Sequence, residues 1–262
     1  MEFDDLPPIN YDEIVSLGSQ EHDFYDPGLP LIENVAKAFE RSVLLPKPEI
    51  QLPILAAFTC LPTALLKISP MLCVVGRSGS GKSQIGKIIA AINGTEPIGS
   101  NSTFASIKNI IKEISTLDDM GEFKAPNYCL VFDDAKVDFV EDADRFALMR
   151  YGYDKKTSVI TIAGPVPGSV LRFETFCPKV FSTTETFIFE AQYAELRRRC
   201  LLVRTEKQSD NPLVDDLVPP EEMEYRTLRR ALRHYWSVLH NCEHFMGVHA
   251  GMRRSRAMFS TD

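Results

Sequence analysis

The sequence predicts an α/β fold, a three-layer α/β/α sandwich with a small C-terminal helical appendage, and three observations predict it. Short apolar runs of strand length alternate with segments of helical periodicity. A glycine-rich turn joins one such strand to a helix, and a later apolar strand ends in two aspartates. The chain has 262 residues and is 44% hydrophobic, which is enough to close one large core.

Three regions follow along the chain. Residues 1–48 form an acidic arm and a helix, 49–205 the main domain, and 206–262 a C-terminal helical segment. The arm carries Glu2, Asp4, Asp5, Asp12, Glu13, Glu21, Asp23 and Asp26 without a Lys or Arg, and Pro7, Pro8, Pro27 and Pro30 make it extended. Residues 31–45 and 51–68 read as helices.

From residue 71 the order is a strand (Met71 to Val75), a glycine-rich turn, and a helix near Lys82 with Ile85, Ile88, Ile89 and Ile92 on one face, closed by Asn93-Gly94. A helix over Thr103 to Ser115 precedes the strand Tyr128 to Phe132, and another runs from Glu141 to Tyr151. The runs Ser158 to Ala163 and Ser169 to Phe173, joined by Gly164-Pro-Val-Pro-Gly168, predict a β-hairpin. A strand at Lys179 to Ser182, a helix from Phe187 to Arg199 and a strand from Cys200 to Arg204 complete the domain. After Pro219-Pro220, Tyr225, Leu228, Leu232, Tyr235, Trp236 and Leu239 form one stripe of a long helix, with Arg226, Arg229, Arg230 and Arg233 mostly opposite.

Composition narrows the function classes. The net charge of −7 excludes a uniformly basic nucleic-acid coat, although Arg253, Arg254 and Arg256 add to a basic C-terminal pole. No basic stretch followed by an apolar one opens the chain, and Pro53 and Pro62 interrupt its longest apolar segment, so no membrane association and a cytoplasmic location are expected. Six cysteines without a CxxC pair fit a reducing compartment. His240, Cys242, His244 and His249 match no standard zinc spacing.

Gly76-Arg77-Ser78-Gly79-Ser80-Gly81-Lys82-Ser83 matches GxxxxGK[ST], with an apolar strand before it and a helix opening at Lys82, Ser83 and Gln84. In such a loop, glycines let backbone N–H groups turn toward phosphate, Lys82 supplies an exposed point charge, and Ser83 offers a hydroxyl to Mg²⁺. The cofactors expected are therefore ATP and Mg²⁺. Leu130-Val-Phe-Asp133-Asp134 places two carboxylates at a strand end, with Asp133 in the magnesium shell and Asp134 orienting or deprotonating water. Asp is shorter than Glu, so hydrolysis is expected to be slow.

Three further features have two readings each. Arg197, Arg198 and Arg199 either complement a helix dipole or supply an arginine finger to a neighbouring subunit's γ-phosphate. Thr183 and Thr184 are either strand formers or polar groups reaching the γ-phosphate. The Ser158 to Phe173 hairpin, with Lys155, Lys156 and Arg172, is either an edge element or a contact to a nucleic-acid backbone.

The order of P-loop, acidic strand end, hairpin, polar strand end and arginine-bearing helix resembles the additional-strand P-loop ATPases, the AAA+ and superfamily 3 helicase group, over about residues 50–205. Ser102-Thr103, Phe176-Cys-Pro-Lys179 and Glu195-Leu-Arg-Arg-Arg199 look most like the ATPase domains of phage and plasmid replication proteins. The resemblance implies that Thr184 or Thr183 is the sensor 1 position, where that group carries asparagine. It also implies that the hairpin precedes sensor 1 and that the arginine cluster holds the finger. The expected protein is an ATPase forming homo-oligomers on nucleic acid. The rival is a nucleotide-dependent scaffold recruiting a protein partner through the acidic arm, and a small-molecule kinase is a distant third.

Overall fold

The computed structural model of the chain describes residues 25–99, 101–115, 128–136, 141–163, 169–184, 186–208, 211–214 and 216–239. In chain order these form α1 (Leu31–Ser42), α2 (Pro48–Thr59), β1 (Met71–Val75), α3 (Lys82–Asn93), β2 (Ile98–Gly99), α4 (Phe104–Ser115), β3 (Leu130–Asp133), α5 (Ala143–Tyr151), β4 (Val159–Ala163), β5 (Val170–Glu174), β6 (Lys179–Thr183), α6 (Ala194–Arg198), β7 (Cys200–Arg204) and α7 (226–239). The protein is α/β, with a five-stranded, all-parallel sheet in the order β2-β3-β6-β1-β7 and a separate antiparallel β4–β5 hairpin. Residues 1–24, the Gly164 to Gly168 connection and the His240 to Arg256 region lie outside the described residues.

The parallel strands are apolar on both faces because helices cover both. Leu72, Val74, Val131, Val180 and Val203 pack into a core with α1, α2, α3 and α7, whereas Met71, Cys73, Leu130, Phe132 and Phe181 pack into a second core with α4, α5 and the turns before β7. Side chains one residue apart on a strand thus belong to different cores. The isoleucine face of α3 is sealed: Ile85, Ile88, Ile89 and Ile92 are each 0% exposed, and each contributes about 1.5–3 kcal/mol by burial. Gly94 ends α3 with a left-handed φ of 75°.

Two helices differ from the sequence expectation. The helix expected over 51–68 runs from Pro48 and stops at Thr59, because Pro62 disfavours helical backbone before it, and only a 3-10 turn at Thr63–Leu65 follows. The helix expected from Phe187 to Arg199 is instead two 3-10 turns, Phe187–Phe189 and Ala191–Tyr193, leading into the five-residue α6. Glu190 is extended between them (ψ 151°), so Phe187 and Ile188 can bury, with the Phe187 ring edge-on to Tyr193 at 5.4 Å. Aromatic burial overrides the helical period there.

The C-terminal helix, read from sequence as an appendage, shares the core of α3. Tyr225, Leu228, Leu232 and Trp236 are buried in that cluster, and Trp236 donates its indole N–H to the Cys60 carbonyl at 3.0 Å. Arg229 is not on a free face: its Nε and Nη2 donate to the Ala91 carbonyl at 3.0 and 2.6 Å, where a cation complements the C-terminal end of α3. Arg226, Arg230 and Arg233 remain exposed. No helix among the described residues is long and apolar enough to cross a membrane.

Candidate active site

Strand β1 delivers the glycine-rich loop to the C-terminal edge of the sheet. Gly79 and Gly81 hold φ of 74° and 85°, a backbone that side-chain-bearing L-residues adopt only at a cost, so the tight wrap needs glycine there. The loop is tied to neighbouring strands. The Gly76 N–H donates to the Thr183 carbonyl at 3.2 Å, and the Ser80 hydroxyl shares a 2.6 Å hydrogen bond with Thr205. No side chain caps the N-terminus of α3, so its first-turn N–H groups are open to an anion.

Lys82 is buried, at 6% exposure, where the sequence led us to expect an exposed loop lysine. Its Nζ donates to the Arg77 carbonyl at 2.7 Å, its one hydrogen bond among the described residues. Burial pushes its pKa below the ordinary lysine value, against the opposing pull of Asp134 and Asp133. An ammonium has three donors, and this one spends a single donor on the protein among the described residues.

Asp133 meets the loop directly. The Ser83 hydroxyl donates to Asp133 Oδ1 at 2.9 Å, so α3 and β3 place two hard oxygens side by side. That donor set suits Mg²⁺, which takes few protein oxygens and fills its shell with water and substrate phosphates. Asp134, the next residue, is exposed and takes a left-handed φ of 52°, which turns it off the strand direction. Its N–H donates to the Ser182 hydroxyl at 2.9 Å, and that hydroxyl donates to Asp133 Oδ1 at 2.7 Å.

A cavity of about 570 Å³ runs along Gly79, Ser80, Gly81, Lys82, Ser83 and Gln84 to the segment after α1 (Ser42 to Leu44) and to Leu217 and Val218. This volume lies within the range of small-molecule pockets. The Gln84 Oε1 is buried with no hydrogen-bond partner among the described residues. Arg77 and Ser78 are exposed at the loop crest. Thr184 is exposed just past β6 and faces a second cleft beside Gly76, Arg77, Arg204 and Lys207, whereas Thr183 is fully buried.

No protein-family model matches the chain, and a search of curated proteins finds no match. The site's own geometry therefore carries its functional reading.

The remaining candidates lie at the other end of the sheet. Cys200 is in register with Met71, so the arginines just before β7 sit about 13 Å, the length of β1, from the loop that leaves Val75. Arg197 donates to the Phe189 carbonyl at 2.9 Å. Arg199 is held by Glu195 at 2.6 Å, by the Arg150 carbonyl at 2.9 Å and over the Tyr153 ring. Arg198 is exposed and has no hydrogen bond or ion pair among the described residues. The hairpin roots at this same end, where Thr175 N–H donates to the Ser158 carbonyl at 2.8 Å, with Lys155, Lys156 and Arg172 exposed on it.

Sequence reasoning missed Ser182, Thr205 and Lys179, whose buried ammonium donates to the Gly152, Thr175 and Cys177 carbonyls. Strand parity offered a signal for the first: Ser182 shares a face with Val180, and Asp133 shares that face with Val131, once β3 and β6 are known to pair Val131 with Val180. The five described cysteines are free thiols, and burial pushes the Cys60 and Cys200 pKa up to about 12, which makes them unreactive.

Proposed function

We propose that the protein is an ATP-binding and ATP-hydrolysing P-loop ATPase of the AAA+ and superfamily 3 helicase-like kind, acting on nucleic acid as a homo-oligomer. One observation carries this reading: Ser83 Oγ and Asp133 Oδ1 meet at 2.9 Å beside the buried Lys82, on an open helix N-terminus. That combination serves a nucleoside triphosphate with its magnesium ion and has little structural use otherwise. The strand order supports it, because β6 lies between β1 and β3 as the additional-strand arrangement requires. Bound Mg²⁺ would neutralise charge on the β- and γ-phosphates.

In this reading Lys82 and the loop residues 76–84 hold the phosphates, Ser83 and Asp133 hold the metal, and Asp134 and Thr184 face the attacking water. Arg198, at the far edge of the sheet, cannot serve its own P-loop and acts on a neighbour's. The hairpin with Lys155, Lys156 and Arg172 contacts the nucleic-acid backbone. The test is an ATPase assay with and without single- and double-stranded DNA and RNA, run with a mass measurement in the presence of nucleotide. Nucleotide-dependent assembly and stimulation by nucleic acid support the proposal. ATP turnover that no nucleic acid stimulates favours a nucleotide-dependent scaffold, and absence of nucleotide binding defeats both.

A further inference from the structure

Asp133 Oδ1 accepts two hydroxyl hydrogen bonds, and they differ in what they do when a metal arrives. The Ser83 hydroxyl, at 2.9 Å, is itself a metal ligand in the proposed function, so it must give up Asp133 to the ion. The Ser182 hydroxyl, at 2.7 Å, sits on β6, is 3% exposed, and is turned toward Asp133 rather than toward the pocket. It keeps its bond. The same oxygen accepts the Asp134 N–H at 2.9 Å, and the Ser182 carbonyl accepts the Ala135 N–H at 2.7 Å. One residue of the inserted strand thus grips three consecutive residues of the acidic loop.

The grip has a reason to exist. Asp134 holds a left-handed backbone, which is strained for a residue with a side chain and is held by its surroundings. A hydroxyl with one proton can donate to only one oxygen, and here its donation goes to the carboxylate while its lone pair takes the following amide. The arrangement fixes which Asp133 oxygen faces Ser83 and at the same time where Asp134 leaves the strand.

We infer that Ser182 is a positioning residue of the metal site, orienting Asp133 for Mg²⁺ and setting the turn that presents Asp134. The inference rests on the nucleotide and metal reading above. It assigns to the strand between β1 and β3 a role carried by a buried serine, distinct from the exposed Thr184 two residues later. Partners that orient metal-ligating carboxylates are worth about 10- to 100-fold in metal affinity.

The experiment measures binding of a fluorescent ATP analogue as Mg²⁺ is titrated, with thermal unfolding alongside, for wild type, Ser182→Ala, the near-isosteric weak donor Ser182→Cys, and Lys82→Ala. The expected result is a Mg²⁺ half-point raised about tenfold in both Ser182 variants, with nucleotide affinity in EDTA unchanged within about twofold. An unchanged half-point in a folded Ser182 variant overturns the assignment. So does an equal loss of affinity with and without Mg²⁺, or failure of both variants to fold, since either outcome makes the hydroxyl a general support of the core. Nucleotide binding by wild type that Lys82→Ala abolishes upholds the underlying reading independently. Wild type that binds no nucleotide sinks that reading and this inference together.

Discussion

Two buried lysines sit at opposite ends of one sheet, and the protein surrounds them in opposite ways. Lys179 opens β6 at 1% exposure and donates to three backbone carbonyls, Gly152 at 3.1 Å and Thr175 and Cys177 at 2.9 Å. All three of its donors are used. Lys82 follows β1 at the other edge with one carbonyl at 2.7 Å and two carboxylates within electrostatic reach. The saturated ammonium ties the end of α5 and the hairpin root to the sheet, whereas Lys82 makes one hydrogen bond among the described residues, to its own loop. Burial of a charge is therefore no sign of function by itself, since Lys179 is buried and spends all three donors inside the fold.

The sharpest way to break this comparison is to remove each charge in turn. Lys179→Met leaves three buried carbonyls short of a donor and should cost about 3 kcal/mol of stability, read by chemical denaturation. Lys82→Met removes a buried charge with one partner, so stability should stay within about 1 kcal/mol while nucleotide binding disappears. Equal destabilisation by the two substitutions would falsify the distinction.

A second test stays at the edge of the sheet that carries the glycine-rich loop. Asp134→Asn should retain nucleotide binding but slow hydrolysis about 100-fold or more, because the amide cannot accept a proton from water. Asp133→Asn should instead weaken Mg²⁺-dependent binding. If the phenotypes exchange, so do the two roles.

The arginines sharpen the contrast at the far edge. Arg199→Ala loses an ion pair, a carbonyl contact and a ring contact and should destabilise by about 1 kcal/mol. Arg198→Ala should leave stability unchanged and impair turnover only in the assembled state, with partial rescue when it is mixed with Lys82→Ala subunits. No rescue in mixtures shown to co-assemble would leave Arg198 a solvated end of α6.

The smallest effect concerns Glu221, whose hydrogen bond from Lys87 at 2.5 Å holds its carboxyl below the ordinary value of 4.5. A depressed carboxylate pKa stabilises above the unfolded-state value and is lost as pH falls through the folded one. Both groups are exposed, so Lys87→Ala should cost less than about 0.5 kcal/mol at pH 7, a difference that shrinks as acid protonates Glu221, measured as paired melting curves.

The sequence by itself determined the glycine-rich loop, its flanking strand and helix, the acidic strand end and the hairpin, because each is a local pattern. GxxxxGKS and the Met71 to Val75 and Ile85 to Ile92 runs need no partner to be read. The broken helix at Phe187 to Tyr193 was not legible, since its period gives way to burial against strands distant in sequence. Only the tertiary structure decided which arginines are occupied, that α7 shares a core with α3, and that Ser182 reaches Asp133. The Arg199–Arg150 and Ser182–Asp133 contacts each join residues 49 apart and the Arg229–Ala91 contact residues 138 apart, and strand pairing sets such contacts through cores no single segment contains. Lys82 and Lys179 look alike as letters; each meets carbonyls of its own loop, and only the fold brings the Gly152 carbonyl, 27 residues away at the end of α5, to the third donor of Lys179.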